Sequence, residues 1–363
     1  MITHMEVKLM IDTCRSECFA KLLGVILPYA LLCIASATAP PKQCIIKRCA
    51  TPPKIDGELD DDAWRDATKV TGFKLLGSVK LASQQTEVLA CYDERALYIA
   101  AICHEAKMSA VRANVKERDA NVYEDDCFEV FLTPLRDAST YYHFIVSVAN
   151  VQRDDIGMAS HWDAKWQSAV KRYRDRWTVE IAIPFAELDI PVGVTEHWRI
   201  NFARGERPHG ELSCWSPCES GFHEPKHFGW AQFVGADFTL HVRHTLLRRL
   251  DELHPRVERL SALEEERIKH TRLRTMLSRV RRRIESAFAS ASRILNSPAV
   301  KMNHLADAER LLNLLRDDLR ECDAIALKAQ MISAGGESFR NAVFVICRES
   351  TMTKVRRDKP YRG

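Results

Sequence analysis

The chain has 363 residues, 46% hydrophobic and 28% charged, enough apolar material for one large domain and an extension. Lys and Arg total 53 against 49 Asp and Glu, and the resulting net charge of +4 excludes a strong polyanion-binding signal at the level of the whole chain. Taking Cys14, Cys18 and Cys33 from the 12 cysteines leaves an odd number, which argues against a disulfide scaffold.

The first 39 residues read as a secretory signal. Lys8, Arg15 and Lys21 precede an apolar run over 22–34, followed by the small residues Ala35, Ser36, Ala37, Thr38 and Ala39. That run is short for a membrane span, and cleavage is expected after Ala37, with Met5 or Met10 as possible starts. Export to the periplasm, cell surface or medium follows, with membrane contact confined to this segment.

From residue 45 to about 235 the pattern is a succession of short strands. Residues 87–92 and 96–103 flank Asp93-Glu94-Arg95, a hairpin turn. Strands are expected at 127–132, 141–148, 177–183, 198–204 and 230–233. In 177–183, Val179, Ile181 and Ile183 alternate with Thr178, Glu180 and Ala182. Short helices fit 62–67 and 184–188, the second opening on Pro184. The predicted fold is mainly β, an antiparallel β-sandwich. Trp64, Trp177, Trp198 and Trp230 are expected in its core, and Trp162 and Trp166 over a sheet edge. Cys91, Cys103 and Cys127 sit in strand patterns as small hydrophobes. Cys44 with Cys49, or Cys214 with Cys218, are possible pairs.

Residues 243–334 change to a helical period. Leu246, Leu250, Leu253, Val257, Leu260 and Leu263 form one apolar stripe, and Leu305, Leu311, Leu312, Leu315 and Leu319 another, with a break at Asn296-Ser297-Pro298. Two long antiparallel helices are predicted, an α-helical hairpin or coiled coil able to bind a partner or self-associate. Arg279, Arg281, Arg282 and Arg283 read as a solvated basic face. Residues 338–363 hold an apolar strand at 342–347 and a basic tail, the expected start of a truncated further β domain.

The stretch 121–132 places Tyr123 in a loop before a half-buried strand whose charged member is Glu129. An aromatic ring beside a fixed carboxylate suits a sugar: the ring covers the apolar face, and the carboxylate accepts from hydroxyls. Cys214, Cys218, His223 and His227 have a spacing compatible with zinc but lack the knuckle context. Glu129 and Glu180 are paired carboxylates without a demonstrable glycosidase separation. Neither a recognisable Ser–His–Asp context nor H-E-x-x-H occurs, so the chain by itself reads as non-catalytic, an accessory part of a glycoside hydrolase at most.

Four segments together resemble the family 9 carbohydrate-binding modules. They are Ile55-Asp56-Gly57-Glu58-Leu59-Asp60 with Trp64; Tyr92-Asp93-Glu94 leading into Leu97-Tyr98-Ile99; Tyr123 through Phe131; and Trp215-Ser216-Pro217 leading to Pro225 and Phe228-Gly229. The resemblance implies a calcium-containing β-sandwich that clasps the end of an oligo- or polysaccharide between two aromatic rings, within a polysaccharide-degrading system and with no nucleic-acid partner. Tyr123 and Phe222 match the two platforms, and Glu129 the carboxylate that meets sugar hydroxyls. Asn201 and Arg204 belong to the strand whose polar face lines that site. Ile145 stands where the family has a sugar-binding arginine. For calcium, Asp125, Asp126, Asp154 and Asp155 are candidate oxygen donors. Alternatives are a haem- or electron-transfer-associated sandwich using His143 with Met158, and an interaction scaffold built on the helices.

Overall fold

A computed structural model describes residues 42–159, 162–261 and 270–333; the expected leader and the strand at 342–347 lie outside them. Two sheets face each other, and one strand belongs to both. That strand, β1 (Gln43–Arg48), pairs through Gln43–Ile46 with β13 (Gly229–Phe233) and through Lys47 and Arg48 with β4 (Thr86–Tyr92), parallel to each. The first sheet continues from β13 through β11 (His197–Glu206), β6 (Cys127–Thr133), β7 (Tyr142–Ser147) and β8 (Gln152–Ile156). The second continues from β4 through β5 (Ala96–His104), β10 (Arg176–Pro184) and β9 (Gln167–Arg172). Three short strands attach at the margins: β2 (Thr68–Val70) on β4, and β12 (Glu211–Cys214) on β11 and β3 (Lys74–Leu75). The sandwich is therefore mixed and not wholly antiparallel: β1 leaves one sheet for the other midway, and both of its neighbours run in its own direction.

Alternation explains the core. Phe128, Val130 and Leu132 of β6 and Ile200 and Phe202 of β11 meet Val88, Ile99, Ala101, Val179 and Ile181 of the other sheet, all fully or nearly fully buried. Trp177 and Trp198 are in this core as expected. Trp166 and the half-buried Trp162 close its edge against Phe144, their ring centroids 5.2 and 5.5 Å away. Trp230 differs: it lies half-buried on the outer face, with the Arg199 guanidinium stacked 4.2 Å from its centroid.

On the outer face of the second sheet, Glu180 organises the segment that precedes β2. Its carboxylate accepts from the amides of Asp56 (2.8 Å) and Gly57 (2.6 Å) and from Trp64 Nε1 (2.7 Å). Trp64 belongs to the short helix α1 (Asp62–Arg65) and packs on Tyr98 and Ala182. Gly57 has φ +89°, and a Cβ there would lie 2.9 Å from the Val170 carbonyl carbon, so only glycine fits. Glu180 thus reads the Asp56-Gly57 turn and its tryptophan at once.

Among the described residues the helical part contains three helices instead of a two-helix hairpin: α2 (Thr239–Ser261), α3 (Thr271–Leu295) and α4 (Met302–Ser333). The break at residues 296–298 is where α3 gives way to α4, but the leucine period crosses a second interruption without showing it. Leu250 and Leu260 of α2, Leu277 and Ile284 of α3, and Leu312 and Leu319 of α4 share one buried cluster, which is continuous with the sandwich core. Phe238 and Leu246 join the two regions beside Phe185, and the Ile190 amide donates to Thr245 Oγ1 at 3.2 Å. In the basic stretch, Arg283 pairs with Asp318 (2.6 Å) and Glu321 (2.7 Å) of α4. No helix among the described residues is long and apolar enough to cross a membrane.

Replacing Glu180 by Leu orphans two buried donors and one partly buried donor and is expected to cost about 3 kcal/mol, whereas Glu180→Gln, which keeps an acceptor, costs about half as much. Denaturant unfolding of both variants measures this, and equal losses would show that the carboxylate is not the anchor.

Candidate functional site

The outer face of the first sheet is set by the same alternation that builds the core. Because Phe128, Val130 and Leu132 point inward, Cys127, Glu129 and Phe131 point outward. Register then places Ile145 and His143 of β7 beside Glu129 and Phe131, and Arg153 and Asp155 of β8 beside Ile145 and His143. On the other flank, Ala203 pairs with Glu129 and Asn201 with Phe131.

A continuous polar chain crosses this face. His143, only 2% exposed, hydrogen-bonds Glu129 Oε2 through Nε2 at 2.8 Å and stacks on Phe131 with centroids 4.1 Å apart. Its Nδ1 lies 3.7 Å from Asp155 Oδ2, beyond hydrogen-bond reach but in electrostatic contact. Arg153 Nε donates to the same Asp155 oxygen at 2.9 Å, and its guanidinium lies 5.7 Å from the Tyr123 ring centroid. Tyr123 is 42% exposed on the single helical turn Val122–Glu124. The exposed His223 covers the opposite end, edge-on to His143 at 4.9 Å, with Nδ1 2.8 Å from Tyr141 Oη.

Charges in this chain are mutually adjusted. Burial opposes the imidazolium of His143, but Asp155 and Glu129 outweigh it and raise its affinity for a proton. Burial likewise pushes Asp155 up, and His143 and Arg153 more than compensate, holding it below its ordinary range. Burial and the neighbouring His143 together push His223 down. Cys127, fully buried beside Glu129, has its thiol pushed well up by burial and then by that carboxylate, so it is no nucleophile.

The structure separates the expected site residues into different roles. Tyr123 is an open ring, and Glu129 is the inner terminus of the polar chain. Phe222 is 9% exposed and turns inward, its ring packed against Phe131 at 6.4 Å, so it is not a free platform facing Tyr123. The cause is the pocket that Phe131, Tyr141 and Phe228 offer it on the sheet. Asn201 is fully buried and clamps the following loop: Nδ2 donates to the Ser216 carbonyl at 2.9 Å, and Oδ1 accepts from the Ser216 amide at 2.8 Å. Arg204 has the opposite parity. It pairs with Phe128, points between the sheets and donates to the His104 carbonyl at 2.7 Å and to Glu105 at 3.3 Å. Neither Asn201 nor Arg204 reaches the outer polar chain.

Other constellations resolve similarly. Asp125 accepts from the amides of Asn114 and Val115, and Asp126 from those of Arg112 and Arg207. Asp154 faces inward to the Ala164 amide and Trp166 Nε1, each at 2.8 Å, while Asp155 faces outward to His143 and Arg153. These four carboxylates do not converge, so they do not fit a shared calcium site. Among the described residues, Glu105, Glu206 and His209 gather three possible metal-ligating atoms within 4.8 Å, but Arg204 already pairs with Glu105 and His209 with Glu206. The zinc spacing does not assemble either: His223 bonds Tyr141 and His227 bonds Glu224. Glu129 and Glu180 stand on the outer faces of opposite sheets. His143, offered above to a haem, is bonded to Glu129, whereas Met158 is 82% exposed.

Sequence reasoning missed His143 and Arg153 as members of this site. The available signal was parity: His143 is two residues from Ile145 and shares its face. Arg153 is directly cross-strand from Ile145, so a guanidinium sits one strand from the position where the resemblance leads one to look for it.

A family model for carbohydrate family 9 binding domain-like sequences matches residues 55–236, half of the chain. The chain belongs to that family. The matched span of this family 9-like chain runs from the Glu180-anchored turn to the end of β13. Similar solved structures include a family 9 carbohydrate-binding module from Caldicellulosiruptor kristjanssonii in complex with cellotriose, at 17% identity over 54% of this chain and 95% of that one, TM-score 0.42. The same organism's module in complex with glucose matches at 18% identity over 54% and 97%, TM-score 0.41. A crystal structure from Bacteroides uniformis matches at 19% over 53% and 100%, TM-score 0.44. No curated protein matches the chain.

The raised proton affinity of His143 fixes a sign for pH. Its contribution to stability is fully present below the unfolded value of about 6.5 and is lost as pH rises through the folded value. The stability difference between the natural chain and His143→Gln should therefore be largest below the unfolded value of about 6.5 and shrink as pH rises above it. Denaturant unfolding at several pH values tests this, and a pH-independent difference contradicts the charged Glu129–His143–Asp155 arrangement.

Proposed function

We propose that this chain binds carbohydrate without catalysis, seating a saccharide on the outer face of the first sheet between Tyr123 and His223. The observation that carries the reading is the Arg153–Asp155–His143–Glu129 chain running inward from an exposed aromatic ring, in a chain of this family. Tyr123 covers the apolar face of a sugar ring. Arg153 donates through Nε and Nη2 to Asp155 and through Nη1 to the Asp119 and Ala120 carbonyls, so one of its five N–H groups is left for a sugar hydroxyl, and Glu129 and His143 brace Asp155 from beneath. Phe222 supports this floor through Phe131, so the proposed seat has one stacking platform rather than two. The matching modules from Caldicellulosiruptor kristjanssonii hold cellotriose and glucose, and glucose-based oligosaccharides are the first ligands to try.

Stacking one ring on a sugar is worth about 2 kcal/mol, roughly thirtyfold in affinity. With a few hydrogen bonds, and after the cost of association, affinity of about micromolar to millimolar follows, suited to anchoring. The wider reading makes the domain the targeting part of an exported glycan-degrading system, supported by the leader expected over residues 1–39. N-terminal sequencing of secreted protein tests that separately, and an intact N-terminus on protein retained in the cytoplasm would remove it.

Isothermal titration against cellotriose, xylotriose and chitotriose tests the binding reading. Tyr123→Ala should weaken binding about thirtyfold, and Arg153→Met should remove most of what remains. Phe222→Ala should instead lower folding stability by about 3 kcal/mol, the cost of a core cavity. Undiminished binding in both Tyr123→Ala and Arg153→Met places the sugar elsewhere.

A further inference from the structure

Eight cysteines lie among the described residues, and four of them share buried clusters two by two. Cys214 ends β12 directly beside Ala203 of β11, and Cys218 follows after the turn Trp215-Ser216-Pro217. Both are buried together in the small aromatic cluster that holds Phe222. The turn between them is already fixed: Asn201 Nδ2 donates to the Ser216 carbonyl at 2.9 Å and to Cys218 Sγ at 3.4 Å. The Gly77 amide donates to the Cys218 carbonyl at 3.0 Å. We propose that Cys214 and Cys218 form a disulfide when the protein meets an oxidised low-molecular-weight disulfide, clipping the 215–217 turn at the base of the loop that carries Phe222 and His223.

Its chemistry is asymmetric. The Cys218 thiol and amide and the Lys42 ammonium favour an anion on Cys214, against the effect of burial. Cys218 is pushed the other way, first by Cys214 and then by burial. The Cys214 thiolate attacks one sulfur of an oxidised low-molecular-weight disulfide, and one thiolate leaves. Cys218 then gives its proton to that thiolate and displaces the second one from the Cys214 sulfur. Two protein thiols are oxidised, and one disulfide is reduced to two thiols. Since Cys214 is fully buried and Cys218 3% exposed, exchange requires local opening of the packed cluster, which then shields the bond.

A second pair is carried by separate contacts. Cys49 follows β1, its amide and its thiol donate to the Tyr92 carbonyl at 2.8 and 3.4 Å, and it packs on the buried cluster that holds Cys91 of the neighbouring β4. A bond there staples the sheet-switching strand to the second sheet. Cys44, Cys103 and Cys127 are each buried apart from these pairs.

The test is to incubate the folded full-length chain with oxidised glutathione, block free thiols with iodoacetamide in denaturant without reductant, and map tryptic peptides by mass. The expected result is an unalkylated peptide holding Cys214 and Cys218, lighter by two hydrogens, and a peptide of Cys49 joined to that of Cys91. Exchange of the Gly77 amide should also slow severalfold on oxidation. Alkylation of both Cys214 and Cys218 after oxidation, or their linkage to other cysteines, overturns the proposal. Cys214→Ser, if it folds, should leave Cys218 fully alkylated; if it does not fold, the map of the natural chain decides alone. The outcome is independent of whether the chain binds sugar.

Discussion

Burial of Phe128, Val130 and Leu132 between the sheets is the constraint on which the rest depends. Once those side chains are inside, the two-residue period of β6 leaves Glu129 and Phe131 no other direction than outward. Its neighbours β7 and β11 inherit the register, so His143, Ile145, Asn201 and Ala203 occupy the same face. A slip of one residue would bury a glutamate in an apolar core, which is costly enough to forbid the alternative. The site is in this sense a consequence of the core.

Charged groups on that face survive burial because each faces an opposite charge, even where, as at His143 Nδ1, no hydrogen bond is made. Glu129 has His143, His143 has two carboxylates, and Asp155 has Arg153, whose remaining surface stacks on Tyr123. Such a buried network is a weak source of net stability, but it holds each side chain in one geometry. Glu180 on the opposite sheet shows the same physics in another use. Its three donors are two amides and an indole, so it ties a chain segment down and presents nothing to solvent. Two glutamates in similar strand patterns therefore do different work, and their donors decide which.

The loop after β12 shows how a side chain expected at a ligand becomes part of the framework. Asn201 satisfies both the amide and the carbonyl of Ser216, while Glu224 accepts from the amides of Glu219, Ser220 and Gly221. Burial works against the charge on Glu224, but these donors and the Ser220 hydroxyl prevail and hold it at about 2. With its backbone so committed, the loop lays Phe222 onto Phe131 and leaves His223 outward.

The sequence alone determined the strongly apolar strands β4, β5, β6, β7, β10 and β11, because one face of each enters the core between the sheets. The Asp56-Gly57 segment with Trp64 was legible too, since it lies within a short stretch. Weakly apolar elements such as β8 and β9 were not legible, being held by their neighbours rather than by their own pattern. Only the tertiary structure decided that β1 runs parallel to both its partners, that Arg204 faces inward while Asn201 braces a loop, that Phe222 packs down, and that Arg153 stands across from Ile145. Those outcomes depend on strands distant in sequence. Periodicity divides a strand into two faces, but what each face meets is set by the register of its neighbours.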